Sequence, residues 1–357
     1  MSKLTFIFVH GLSGWGSYDA AYKWLPYWGM RGGDLMAFLR GQGFDCHAAS
    51  VAPTGSAWDR ACELYAQLAG TRTDYGEAHS RRFRHARFGP DFTGRPLIAD
   101  FHEKTRLVLL GHSFGGATVR LLSELMAHGD AEERQAAREG ELSPLFLGGM
   151  EENIHSIVAL ASPMNGTTAY DLFEDSNFDR ASVRVPRLSR VFAWLMRKGT
   201  KSPKDGRNET DCAAYDMHID NALTLNKRLL PLKNVYYFSV PCCISKPQPD
   251  GTCLPRRGAE PFYIMQSRLI GAYSGKTADG VIIDEGWRKN DGLVNTLSEE
   301  APLGAPAKPL DKQNIEPGLW NVFPEIDGDH MWLQGGLIHR HDIKGFYTEL
   351  LSMIAAL

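Results

Sequence analysis

The sequence predicts an α/β protein whose central sheet is mostly parallel and flanked by helices. Two observations carry this. Four short runs rich in β-branched and aromatic residues recur along the chain: LTFIFV (4–9), RLVLLG (106–111), HSIVALA (155–161) and NVYYFSV (234–240). Each is almost continuously apolar, as a strand must be when both faces of its sheet are covered. Between them lie stretches with helical periodicity, and strands alternating with helices build such a sheet.

The helices are read from their faces and ends. In ATVRLLSELMAHG, Val119, Leu122, Leu125 and Met126 share one face, and Gly129 is a natural C-cap. SAWDRACELYAQLAG (56–70) opens on a capping Ser56 and lines up Ala61, Leu64, Tyr65 and Leu68. Two regions break the rhythm: a polar, aromatic-spotted insertion at 164–210 and a Pro-rich stretch at 300–318 that reads as a surface excursion. Neither resembles a linker, so one domain spanning 1–357 with insertions is expected.

Composition narrows the function. With 357 residues, 43% of them hydrophobic, the chain can bury a large core. The net charge of −3 argues against a protein that works by neutralising phosphates, although RRFRHARF alone has the basic and aromatic look of a nucleic-acid surface. No apolar run approaches the roughly 20 residues of a membrane helix. The N-terminal run lacks a cleavage site and reads as a first strand, so a cytoplasmic chain or a mature form without its leader is expected. Six cysteines do not make a disulfide scaffold; a bridge from Cys242 or Cys243 to Cys253 and free thiols remain alternatives.

The sharpest chemical signal is G-x-S-x-G at Gly111-His112-Ser113-Phe114-Gly115, after a predicted strand and before a predicted helix. The chain must turn so tightly there that positions two away from the serine lack side chains, which leaves Oγ exposed. A serine needs a base to take its proton and an acid to orient that base. Asp291 in NDGLVNT and His330 in DGDHMW follow in the expected order, while His218, His339 and His341 are not excluded by spacing. The backbone N–H groups of Leu12, in VHGLSGWG, and of Phe114 are candidates for an oxyanion hole.

With these residues in view the chain resembles the zinc-containing thermoalkalophilic bacterial lipases of the α/β-hydrolase fold. The resemblance spans nearly the whole length and rests on VHGLSGWG, KWLPYWGMRGGDL, the 58–89 segment from WDRAC to RHARFG, GHSFGG with SPLFLGG, ASPMNGTT, TDCAAYDM, NDGLVNT and DGDHMW. It implies a triad of Ser113, Asp291 and His330, with Leu12 and Phe114 at the oxyanion positions; the family commonly has Gln at the latter. It implies zinc held by Asp59, His79, His85 and Asp211. Four protein ligands leave no open position, so that metal would be structural, and the arginines around the two histidines would be a solvated face pairing with Asp74 and Glu77.

The chain also departs from the family. The calcium carboxylate expected two positions beyond His330 is Trp332, and QGGLIHR follows, so the family's calcium site is expected to be missing. The lid, about 164–210, is short, with VFAWLMRKG (191–199) offering an apolar face of Phe192, Leu195 and Met196. A short cover would favour short and medium acyl esters, or bulky substrates such as aliphatic polyesters at a lipid or polymer surface. A serine carboxylester hydrolase is the leading expectation. A metal-dependent hydrolase using the Asp/His cluster and a non-catalytic binding protein on a hydrolase fold are the alternatives.

Overall fold

The computed structural model describes residues 4–138, 140–184 and 209–357. Seven strands form one sheet: β1 Leu4–Val9, β2 Asp45–Ala49, β3 Arg106–His112, β4 Ile154–Leu160, β5 Tyr236–Val240, β6 Ala307–Pro309 and β7 Trp320–Val322. Their spatial order is β6-β7-β5-β4-β3-β1-β2, and every neighbouring pair is parallel. This is the expected α/β architecture with the sheet order of an α/β-hydrolase.

Alternation along the central strands divides the core in two. Ile7, Val9, Leu107 and Leu109 pack on one face, with residues of helices α2 (Ala57–Ala69) and, later in the chain, α4 (Gly115–His128). Phe6, Phe8, Val108 and Leu110 pack on the other, with α1 (Leu35–Gly41) and the C-terminal α5 (Lys344–Ala355). Successive side chains of a strand point to opposite faces, so a strand covered on both must be apolar throughout. That explains why the strands read as runs rather than as alternating patterns.

The caps behave as expected. Ser56 accepts the Asp59 N–H at the start of α2, and Gly70 ends it in the left-handed region; Gly129 closes α4 with φ 67°. Two features depart from expectation. The 300–318 stretch is not only a surface excursion, because Ala307–Pro309 adds the edge strand β6. Pro is tolerated there since one edge of that strand needs no partner. The six cysteines are free thiols, five of them buried, which decides between the alternatives for Cys242, Cys243 and Cys253.

Within the insertion, Thr168–Glu174 is helical. The apolar face of Phe192, Leu195 and Met196 lies outside the described residues. Among the described residues no helix is long and apolar enough to cross a membrane.

Candidate active site and metal centre

Ser113 sits at the turn between β3 and α4 with φ 55°, a left-handed conformation that costs a serine about 1–3 kcal/mol. Its neighbours show why the motif needs glycine. A Cβ on Gly111 would lie 2.3 Å from the Gly115 backbone, and one on Gly115 would lie 2.4 Å from the Val9 carbonyl oxygen. The turn therefore closes only when both positions are bare. The Ser113 N–H is anchored to the Leu160 carbonyl at 2.8 Å, and the residue is 7% exposed.

Asp291 and His330 come from separate loops beyond the sheet. The Nδ1 of His330 donates to Asp291 Oδ2 at 2.5 Å, and the His330 N–H donates to the Asp291 carbonyl at 2.9 Å. Oδ1 of Asp291 accepts the N–H groups of Leu293 (2.9 Å) and Val294 (2.7 Å). Three donors thus hold this buried carboxylate in place. The His330 ring packs 4.9 Å, centroid to centroid, from that of His112, the residue preceding Ser113.

The loop after β1 completes this corner. A Cβ on Gly11 would come within 2.6 Å of Ser113 Cβ, so the loop lies directly against the serine. Among the described residues no protein group accepts the N–H of Leu12 or of Phe114, the two oxyanion candidates.

Four residues that sequence reading did not single out tie these parts together. Tyr27 accepts the Gly11 N–H at 3.0 Å and donates to His112 Nδ1 at 2.7 Å. Nε2 of His112 then donates to the His330 carbonyl at 2.9 Å. Gln334 donates to the Tyr27 hydroxyl at 2.8 Å. Because Nε2 must donate to a carbonyl, Nδ1 carries the lone pair and His112 is neutral; burial, and the proximity of His330, push its pKa well below the ordinary value. Arg60, fully buried in α2, donates to the carbonyls of His10, Gly11 and Ala52 and to Thr118 Oγ1, holding the same loop from its other side. Tyr27 lies in KWLPYWG and Arg60 in WDRAC, but a side chain that acts through another loop leaves no local pattern.

The second cluster lies away from the serine. Asp59, in the first turn of α2, and Asp211 meet His79 of α3 (Glu77–Phe83) and His85. Arg84 ends α3 with φ 60° and turns the chain so that His85 folds back beside His79. Nε2 of His79 is 3.3 Å from Asp59 Oδ1 and 3.5 Å from Asp211 Oδ1; Nε2 of His85 is 3.9 Å and 3.3 Å from Asp59 Oδ1 and Asp211 Oδ2.

The donor set fits a cation. A tetrahedral metal with bonds of about 2.0–2.1 Å separates its ligands by about 3.3–3.4 Å, close to most of these spacings. Both histidine Nε2 atoms and Asp211 Oδ2 are buried without an aligned hydrogen bond. Nδ1 of His85 donates to the Ala86 carbonyl at 2.9 Å, which leaves Nε2 with its lone pair inward, as a metal-ligating histidine requires. Burial works against an ionised Asp211, yet His79 and His85 hold its carboxyl well below the usual range. Two buried carboxylates facing two imidazoles call for positive charge at their centre.

The neighbouring arginines pair with acids: Arg87 makes a two-pronged contact with Asp74, both distances 2.9 Å, and Arg81 pairs with Glu77 at 2.5 Å. Arg81 is solvent-exposed, as a solvated face requires, whereas Arg87 and Asp74 are largely covered and form a partly buried ion pair.

Sequence and fold are similar to those of known proteins. Residues 2–191 match the family described as lipase-like, C-terminal domain. Lipase 2 of Staphylococcus aureus is 33% identical over 386 residues, covering 99% of this chain and 54% of the relative, so the chain spans about half the length of that curated relative. The structure of EstA from Clostridium botulinum superposes with a TM-score of 0.84 at 30% identity, covering 99% of this chain and 88% of that one. Lipase 1 from Pelosinus fermentans gives a TM-score of 0.79 at 30% identity with both chains fully covered. The chain belongs to the bacterial lipase family.

Proposed function

We propose that the protein is a serine carboxylester hydrolase acting on acyl esters, with Ser113, Asp291 and His330 as its triad. The observation that carries this is Ser113 on a strained, glycine-flanked turn, next in the chain to His112, whose ring packs against His330 of a buried His330–Asp291 pair. In this reading Ser113 Oγ attacks the ester carbonyl carbon while His330 Nε2 takes its proton. The N–H groups of Leu12 and Phe114 receive the negative oxygen of the tetrahedral intermediate. Its collapse breaks the C–O bond, and the departing alkoxide takes the proton from His330. Water, deprotonated by His330, then attacks the acyl-enzyme and releases the acid and free Ser113. Asp291 holds the imidazole with its Nε2 toward the serine and stabilises its charged form. A fluorophosphonate probe should label the native protein once, on the peptide bearing Ser113; labelling elsewhere, or none in folded protein, would defeat the reading.

Asp59, His79, His85 and Asp211 would hold a structural zinc ion, which supplies charge neutralisation and cross-links the 59–85 segment to the chain at 211. Two imidazoles and two carboxylates suit zinc. The chain is proposed to do without the family's calcium. Trp332 stands where a carboxylate was expected, and Oε1 of the buried Glu260 accepts the N–H groups of Leu337 (2.7 Å), Ile338 (2.6 Å) and His339 (3.1 Å). An internal carboxyl group thus fastens the loop after His330. The domain is proposed to be single. A preference for short and medium acyl esters or aliphatic polyesters follows from a short cover, whose 185–208 segment lies outside the described residues. Activity across ester chain lengths tests that preference.

A further inference from the structure

A second carboxyl group lies behind Asp291. Glu299 belongs to the short helix Thr296–Glu300, a few residues beyond the Asp291 loop, and is fully buried. Its Oε2 accepts the Cys242 N–H at 2.6 Å, and no N–H or hydroxyl donor reaches Oε1. The side chain faces the Asp291 carboxyl, with both groups removed from solvent. Two carboxyl groups can share a hydrogen bond only when one of them carries a proton.

The partners decide which one. Asp291 already accepts three hydrogen bonds, from Leu293, Val294 and His330, whereas Glu299 accepts one. The negative charge is better solvated on Asp291, so the proton resides on Glu299. We propose that Glu299 is a neutral carboxylic acid whose O–H donates to the Asp291 carboxylate, making it a positioning residue for the Asp291–His330 pair. The inference rests on the triad proposed above. The ionisable groups facing Glu299 are Asp291 and the thiols of Cys242 and Cys243. Burial first, and the Asp291 charge second, push the Glu299 pKa well above the ordinary carboxylate value, in keeping with this assignment.

The arrangement gives Asp291 a donor that adds no charge. A cation in that place would weaken the pull of Asp291 on the imidazolium, and an apolar residue would leave the carboxylate free to rotate away from His330. A neutral acid fixes the carboxylate and leaves its charge intact.

Glutamine reproduces this pattern: its carbonyl can accept the Cys242 N–H and its amide can donate to Asp291. The test compares Glu299→Gln with Glu299→Leu in full-length protein. Glu299→Gln should keep kcat within about twofold, whereas Glu299→Leu should lose about tenfold or more in kcat at nearly unchanged KM, the scale of one hydrogen bond to a charged group. At neutral pH, an infrared difference spectrum of wild type against Glu299→Gln should contain the C=O band of a protonated acid. A carboxylate band in its place, equal losses in both variants, or a fully active Glu299→Leu would overturn the proposal. The infrared band is read without turnover, so it separates failure of this proposal from failure of the triad, which an active Ser113→Ala would reveal.

Discussion

Nδ1 of His330 stands 2.5 Å from Oδ2 of Asp291, and both side chains are almost wholly removed from solvent. The contact fixes which ring nitrogen of His330 carries the proton at rest, and so leaves Nε2 free to act as a base. Asp291→Asn would present an amide to Nδ1 and favour the opposite tautomer. Its kcat should fall by about 10³–10⁴ with little change in KM. Steady-state kinetics on a soluble ester check this, and a loss below tenfold would remove Asp291 from the triad.

The relay from Gly11 through Tyr27 and His112 to His330 joins the oxyanion loop to the base. Tyr27→Phe leaves the Gly11 N–H without its partner and His112 Nδ1 with the Gln334 amide alone. It should cost about 1–3 kcal/mol of stability, the usual penalty for orphaned buried groups. It should also lower kcat more than it raises KM, because the loop that receives the oxyanion loosens. Denaturant unfolding and kinetics on the same preparation check the two effects together.

A closed four-ligand metal site should matter for folding and not for bond-breaking. Metal analysis should give one zinc per chain. Chelation should lower the unfolding temperature well before it lowers the turnover of molecules still folded, and His79→Ala should mimic chelation. Immediate loss of activity on chelation, with the fold intact, would instead favour a catalytic metal.

His10 is buried and neutral: its Nδ1 donates to the Gly11 carbonyl at 2.9 Å and its Nε2 accepts the Val51 N–H at 3.2 Å. Burial, and then the Arg60 charge, push its pKa from 6.5 down to about 3. Below the first value the unfolded chain takes up a proton that the folded chain refuses until the second. Stability contributed by the neutral ring is therefore present at neutral pH and is lost as pH falls from 6.5 toward 3. The slope for one such group is about 1.4 kcal/mol per pH unit. His10→Asn should be less stable at neutral pH and show an acid dependence shallower by about that amount in urea unfolding.

The parts of this account that were legible in the sequence are those with local signatures. Central strands announce themselves by continuous apolarity, and the elbow by its glycines on either side of Ser113. The edge strand Ala307–Pro309 was not legible, because three residues ending in a proline carry too little pattern to register as a strand. Asp291 and His330 were ambiguous by spacing alone, since their pairing is made by two loops 39 residues apart that only the fold brings together. Tyr27, Arg60 and His112 act through backbone groups of distant loops, and such a role has no periodicity or motif to find. Asp59, His79, His85 and Asp211 depended on likeness to relatives; their convergence required a left-handed turn at Arg84 that the sequence does not mark.

The most direct test is hydrolysis of p-nitrophenyl esters from acetate to palmitate by the wild-type protein and by Ser113→Ala, with folding of both verified. The account predicts turnover by the wild type and its collapse to background in the variant at every chain length. Equal activity in the two proteins would contradict it and move the chemistry away from Ser113.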